Sequence, residues 1–129
     1  MSAAVPFRSV AMAVAVASFA LAAAAQGAGH ACFLARNVDN FAPVDDTTVN
    51  LRVGVSRHFQ LKLFSPCVDL DFSQRIALRT RGSSWICEGQ ANDVELFTPS
   101  PAGRQRCTVT SVRKLTAEEV GALPKKQRP

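Results

Sequence analysis

Four cysteines, Cys32, Cys67, Cys87 and Cys107, limit the fold more than any other feature of the chain. All four follow an uncharged Ala/Val run, Val10 to Ala25, which is preceded by Arg8 and carries Ser18 as its only polar residue. That order has the form of a secretory signal peptide, read here as residues 1–31. The small-residue triplets Ala23-Ala24-Ala25 and Gly29-His30-Ala31 are both acceptable cleavage sites. The run holds about 16 residues, fewer than the roughly 20 that a spanning helix needs, so the chain is not expected to be transmembrane after cleavage. Cleavage after Ala31 would make Cys32 the first residue, but Gly29 stands where a lipoprotein signal carries an aliphatic side chain. An even number of cysteines in a small exported chain implies two disulfides. The spacings contain no C-x-x-C, which argues against a zinc knuckle or a redox-active pair. No metal or cofactor is expected.

Removing Arg8 with the signal takes the net charge from +5 to +4. A basic exported domain is drawn to anionic surfaces. Its positive residues are scattered, however, and cluster only in Lys125-Lys126-Gln127-Arg128, which reads as a frayed basic tail over residues 124–129.

Residues 32–123 have room for one domain. Cys32 to Phe41 is a short helix or an edge strand, and Ala42 to Asp46 reads as a turn. Val49, Leu51 and Val53 alternate with polar residues, as do Phe59, Leu61 and Leu63, which is the pattern of a hairpin with one wet face. Pairing Val53 with Phe59, Leu51 with Leu61 and Val49 with Leu63 keeps all six on one side. That register requires an odd connection, with Gly54 in it and His58 at the turn. Asp69 or Asp71 caps a helical turn, and Ile76–Thr80 with Ser84–Cys87 forms a second hairpin around Arg81-Gly82-Ser83. Trp85 is expected in the core or at its rim. Val94–Phe97 is a further strand, Thr98–Gly103 a proline-rich loop outside the sheet, and Arg104–Leu115 a long last strand. Thr116-Ala117-Glu118-Glu119 is a capping box that opens a short helix ended by Pro124. The expected fold is mainly β: a small disulfide-stapled antiparallel sheet or partly open barrel of about five to seven strands, with a short C-terminal helix.

Were the strands a simple meander, Cys67 and Cys87 would share one end of the sheet and Cys107 would lie at the other, within reach of Cys32. That order favours the pairs Cys67–Cys87 and Cys32–Cys107 among the three connectivities. Asp69-Leu70-Asp71 is a D-x-D, but alone it is weak evidence for a metal. No nucleophile, base and orienting group stand in a catalytic pattern.

The residues Cys32-Phe33, Asp45-Asp46, Ser65-Pro66-Cys67 with Asp69-Leu70, Ile76-Ala77-Leu78-Arg79, Trp85-Ile86-Cys87, and Arg106-Cys107 with Val109 and Val112 resemble a family of small exported proteobacterial proteins of unknown function. The resemblance implies a periplasmic or secreted location and brings no activity, cofactor or catalytic residue. Asp93 matches an aspartate expected after the third-cysteine turn.

A non-catalytic binding or interaction module is the function that fits these features, with an envelope protein or an anionic surface as partner. An inhibitor of an envelope hydrolase is a variant of it. The alternative is a cell-wall enzyme that uses Asp69, Asp71 or Asp93 as acid and base. Specific nucleic-acid binding is not expected, since Trp85 and most phenylalanines are assigned to the core.

Overall fold

The computed structural model describes residues 31–89, 91 and 93–129, so the signal segment lies, Ala31 apart, outside the described residues. Among the described residues eight strands form: β1 (Cys32–Leu34), β2 (Val38–Asp45), β3 (Thr48–Val53), β4 (Arg57–Leu63), β5 (Ala77–Thr80), β6 (Trp85–Cys87), β7 (Val94–Ser100) and β8 (Gly103–Leu115). A short helix, α1 (Ala117–Ala122), follows. The protein is mainly β, as expected. Six strands make one curled antiparallel half-barrel in the order β2-β3-β4-β8-β7-β5, and β1 pairs with β6 in a separate two-stranded ribbon.

The hairpin of β3 and β4 forms with its apolar face inward, but two residues out of the expected register. Val49 lies opposite Leu61, Leu51 opposite Phe59 and Val53 opposite Arg57. A two-residue slip preserves the face of every side chain, so alternation alone could not detect it. The connection is odd, as parity demands, but it is the three-residue turn Gly54-Val55-Ser56, with Gly54 at φ 64°. Its tightness draws His58 out of the turn and into β4, between Arg52 and Leu115.

The simple meander does not form. After β4 the chain leaves the sheet and returns at the opposite edge as β5, and the neighbour of β4 is β8. Thirteen residues long, β8 pairs with β7 through Thr108 and with β4 from Val109 onward. A bulge at Lys62/Leu63 accompanies the change of partner, and such bulges bend a strand and add twist. The turn at Arg81-Gly82-Ser83 exists, with Gly82 at φ 85°, but β5 and β6 are not a hairpin. β5 joins β7, while β6 turns away to β1.

The disulfides follow this topology and not the expected one. Cys32 pairs with Cys87, its direct neighbour across the ribbon, and Cys67 with Cys107, which pins the loop after β4 to β8. The pairs Cys67–Cys87 and Cys32–Cys107 assumed that β4, β5 and β6 were successive neighbours, and they are not.

Proline misled the reading twice. Ala42 to Asp45 belongs to β2, with Pro43 opposite Val49, and the turn is Asp46-Thr47. Thr98-Pro99-Ser100 extends β7 instead of leaving the sheet, with Thr98 fully buried. Both prolines occupy edges: β2 is the end strand, and Pro99 lies beyond Phe97, the last β7 residue paired with β5. A residue without an N–H is tolerated where one side of the strand needs no donor.

Phe33 from β1 and Ile86 from β6, opposite each other, are fully buried against the concave face of the sheet. The Phe33 and Phe59 rings stand 4.5 Å apart. The ribbon is thus a plug over the half-barrel, and Val49, Leu51, Leu61, Leu96 and Val109 complete the core. Burying each large apolar side chain stabilises by about 1.5–3 kcal/mol. The plug is fastened along β8, where Gly89 N donates to Val112 O at 3.4 Å and Lys114 N to Glu88 Oε1 at 2.6 Å.

The C-terminal end is not frayed. Thr116 caps α1 as its sequence predicts, accepting from Glu119 N at 3.1 Å. Lys125–Gln127 then form a 3-10 turn against β2, and Arg128 donates back to the carbonyls of Leu123 and Gly121, each at 2.8 Å. A polar ladder crosses the outer face beneath it. Arg113 donates to Glu119 at 2.5 Å and to Gln60 at 3.4 Å, Gln60 to Asn50 at 3.0 Å, and Asn50 to the Gln127 carbonyl at 2.9 Å. Asn50 is fully buried. Its amide is satisfied on both sides, which is the condition for burying it at all.

Candidate functional site

A half-barrel has two end strands, and here β2 and β5 face each other across an open seam. Antiparallel pairing alternates along the six strands, so these two run in opposite directions. Each has a strand partner on one side only, β3 for β2 and β7 for β5. The 3-10 turn Ala35–Asn37 packs against β5, and the turn Leu70–Phe72 packs against β2. Between the strands lies a cleft of about 750 Å³.

The lining of this cleft is unlike the rest of the core boundary. Among the described residues six apolar side chains pack on the core while remaining half-exposed, and five of them, Ala35, Val38, Phe41, Ile76 and Leu78, line the seam. Elsewhere the apolar face is closed: Val49, Leu51, Phe59 and Leu61 have no accessible surface. The cause is in the sheet order. β5 is a four-residue strand reached by a long connection, and no strand continues the sheet beyond it.

The charge at the rim is positive. Arg36, Arg75 and Arg79 line the cleft with Asp39 as the single acid. Among the described residues the ion pairs are Arg81–Glu95 (3.7 Å), Arg106–Glu95 (3.5 Å) and Arg113–Glu119 (2.5 Å), and none involves these three arginines. Arg79 rests with its guanidinium carbon 5.5 Å from the centre of the Phe97 ring. That cation–π contact holds the group at the rim.

Trp85 is at the rim of the fold, 55% exposed. It lines a smaller hollow of about 250 Å³ with Thr80, Arg81, Ser83, Gly89, Asp93 and Val94. Thr80 borders both this hollow and the seam, which makes them neighbours. A third hollow, about 320 Å³, lies between Asp69, Phe72 and the Pro99–Pro101 turn.

The aspartates singled out by sequence are not gathered into one site. Asp69 borders the third hollow and Asp93 the second. Asp69 is in the left-handed conformation at φ 57°, tolerable for aspartate, and precedes the turn Leu70–Phe72 without capping it through its side chain. Instead its carbonyl accepts from Ser73 Oγ at 3.0 Å. Among the described residues no group of three or more His, Cys, Asp or Glu side chains is arranged to hold a metal ion. His58 Nδ1 lies 3.2 Å from the Ser56 carbonyl.

Two carboxyl groups are perturbed, both away from the cleft. Burial pushes Asp45 up, but the hydrogen bonds it accepts from Thr47 and Thr48 outweigh this and hold it below its ordinary value. The hydrogen bond from Arg113 lowers Glu119, with a further contribution from the Thr116 cap.

Assignment of the aromatic residues to the core was correct for Phe33 and Phe59 and wrong for others. Phe64 is 78% and Phe72 84% exposed, in the loop that Cys67 anchors. Sequence reasoning also missed the seam, because the expected hairpin gave β5 a partner on the side that is open. The visible signal was the order Arg75-Ile76-Ala77-Leu78-Arg79, an apolar alternation too short to build a two-sided strand and bracketed by cations.

Among the described residues no helix is long and apolar enough to cross a membrane. No curated protein and no solved structure gives a significant match to the chain. A family model matches residues 3–129, and the chain therefore belongs to the family described as a family of unknown function, DUF6491.

Proposed function

We propose that the protein is an exported, non-catalytic binding module that meets its partner at the seam between β2 and β5. Export rests on the apolar segment Val10 to Ala25 behind Arg8, and two disulfides suit the oxidising conditions of a periplasmic or secreted protein. One observation carries the choice of surface: five of the six half-exposed side chains on the core converge on this cleft. Apolar surface concentrated in a concavity, rimmed by polar groups and held by a rigid frame, is the usual form of a binding site. Asp69, Asp71 and Asp93 take no catalytic part in this reading.

Photo-crosslinking in intact cells tests it. A photoreactive residue at Ile76 should give a discrete crosslinked product, and one at Thr110, exposed on β8 in the middle of the sheet, should not. Equal patterns from the two positions would sink the assignment of the seam, and turnover of a cell-wall polymer lost in an Asp69→Ala, Asp71→Ala variant would replace it with an enzyme.

The loop from Phe64 to Ser73 favours a second reading, the inhibitor of an envelope hydrolase. It exposes Phe64, Val68 and Phe72 and is tied to β8 by Cys67–Cys107. A rigid loop that presents apolar side chains is what an inhibitor inserts into a cleft.

A further inference from the structure

Resting on the seam as the binding surface, we propose that its ligand is an extended acidic segment of a partner protein, which adds as a strand to the free edge of β5. Among the described residues β7 is the only strand hydrogen-bonded to β5, so the other edge of β5 presents backbone donors and acceptors at the strand spacing. Half-exposed Leu78 on that strand and Ile76 just before it stand two apart in sequence, which suits alternate apolar side chains of an added strand. Arg36, Arg75 and Arg79 around the same edge, opposed only by Asp39 in the lining, select for acid at the intervening positions. A second copy of this chain is disfavoured by the same charges, since pairing β5 with β5 would bring Arg75 and Arg79 against their own kind. Because β2 and β5 run in opposite directions, one inserted strand cannot be antiparallel to both. Antiparallel to β5, it would run parallel to β2.

The probe is an alternating Glu-Val octapeptide, fused to the C-terminus of the exported protein through a Gly/Ser linker of about 12 residues, which spans roughly 20 Å. The C-terminal turn packs against β2, so the tether starts beside the seam. Tethering holds the segment at about millimolar effective concentration, enough to reveal weak pairing. Amide hydrogen exchange is then read at residues 77–80, with the amides of β3 and β8 as the control for folding. Exchange at alternate β5 amides should slow by about tenfold or more in the Glu-Val fusion, and not in a Lys-Val fusion. Arg75→Glu with Arg79→Glu should reverse that preference. The proposal is overturned by equal protection in the two fusions, by protection in neither, or by protection confined to another edge. It is also overturned if the unfused chain already shows that protection, from its own N-terminal segment or from dimerisation. A seam that crosslinks in cells but protects neither fusion would leave the binding module standing and remove the acidic strand.

Discussion

The two flanks of the half-barrel are built from the same kind of alternating strand and end in opposite states. On the β3-β4-β8 flank, the inner face is closed by the Phe33/Ile86 plug, and on the outer face Asn50 is buried and donates to the C-terminal turn, which packs on neighbouring β2. On the β2/β5 flank the same core surfaces between two strand edges. What separates them is cover and not composition. Strands continue the sheet on both sides of the closed flank, whereas at the open one only short turns, Ala35–Asn37 on β5 and Leu70–Phe72 with Lys125–Gln127 on β2, pack against the end strands, and arginines rim the gap. Stability is therefore concentrated on one side, and the partly exposed margin of the core on the other.

Substitutions should follow that division. Phe33→Ala, which empties the plug, should cost about 3–5 kcal/mol in chemical denaturation. Leu78→Ala at the seam removes a side chain already in partial contact with water and should cost clearly less, about 1 kcal/mol. Equal losses at the two positions would erase the distinction between the flanks. Replacing Cys67 and Cys107 together by alanine should lower stability by about 2–4 kcal/mol. The same variant should free the Phe64–Ser73 loop to proteolysis while the Cys32–Cys87 ribbon stays bridged, as non-reducing peptide mapping would show. Asn50→Ala should cost about 1–3 kcal/mol, because it strips Gln60 and the Gln127 carbonyl of a partner in a buried place, and it should release the last residues to carboxypeptidase.

The smallest effect is electrostatic. Glu119 is depressed below 4.5, chiefly by Arg113, so its contribution is present above the unfolded value and is lost as the pH falls through the folded one. Glu119→Gln should lower Tm slightly at pH 7, and the difference should shrink as the pH falls below 4.5 and vanish once Glu119 is protonated in the folded protein. A difference that persists in acid would assign the effect to packing instead of charge.

Local patterns in the sequence were legible in proportion to how local their physics is. The capping box at Thr116, the odd turn at Gly54 and the inward face of β3 and β4 depend on a few adjacent residues, and each formed. Pairings between distant segments did not follow from turn order. β4 takes β8 as its neighbour and β6 takes β1, and each choice is made by burial of a shared core after long loop closure, which no local alternation encodes. The seam was hidden for the same reason: an edge is defined by the strand that is missing beside it. Gln127 and Arg128 read as part of a charged tail because the bond from the Asn50 amide to the Gln127 carbonyl joins distant segments, and Arg128 reaches the Gly121 and Leu123 carbonyls only once the chain turns back after Pro124.

The most direct measurement of the division between a closed and an open flank is site-resolved amide exchange on the mature protein. Residues 49–53, 59–63 and 109–112 should exchange only through global unfolding, while the edge amides of β2 and β5 exchange through local opening orders of magnitude faster. Uniform protection across all six strands would mean that the seam is closed in solution, and it would contradict the placement of the binding surface there.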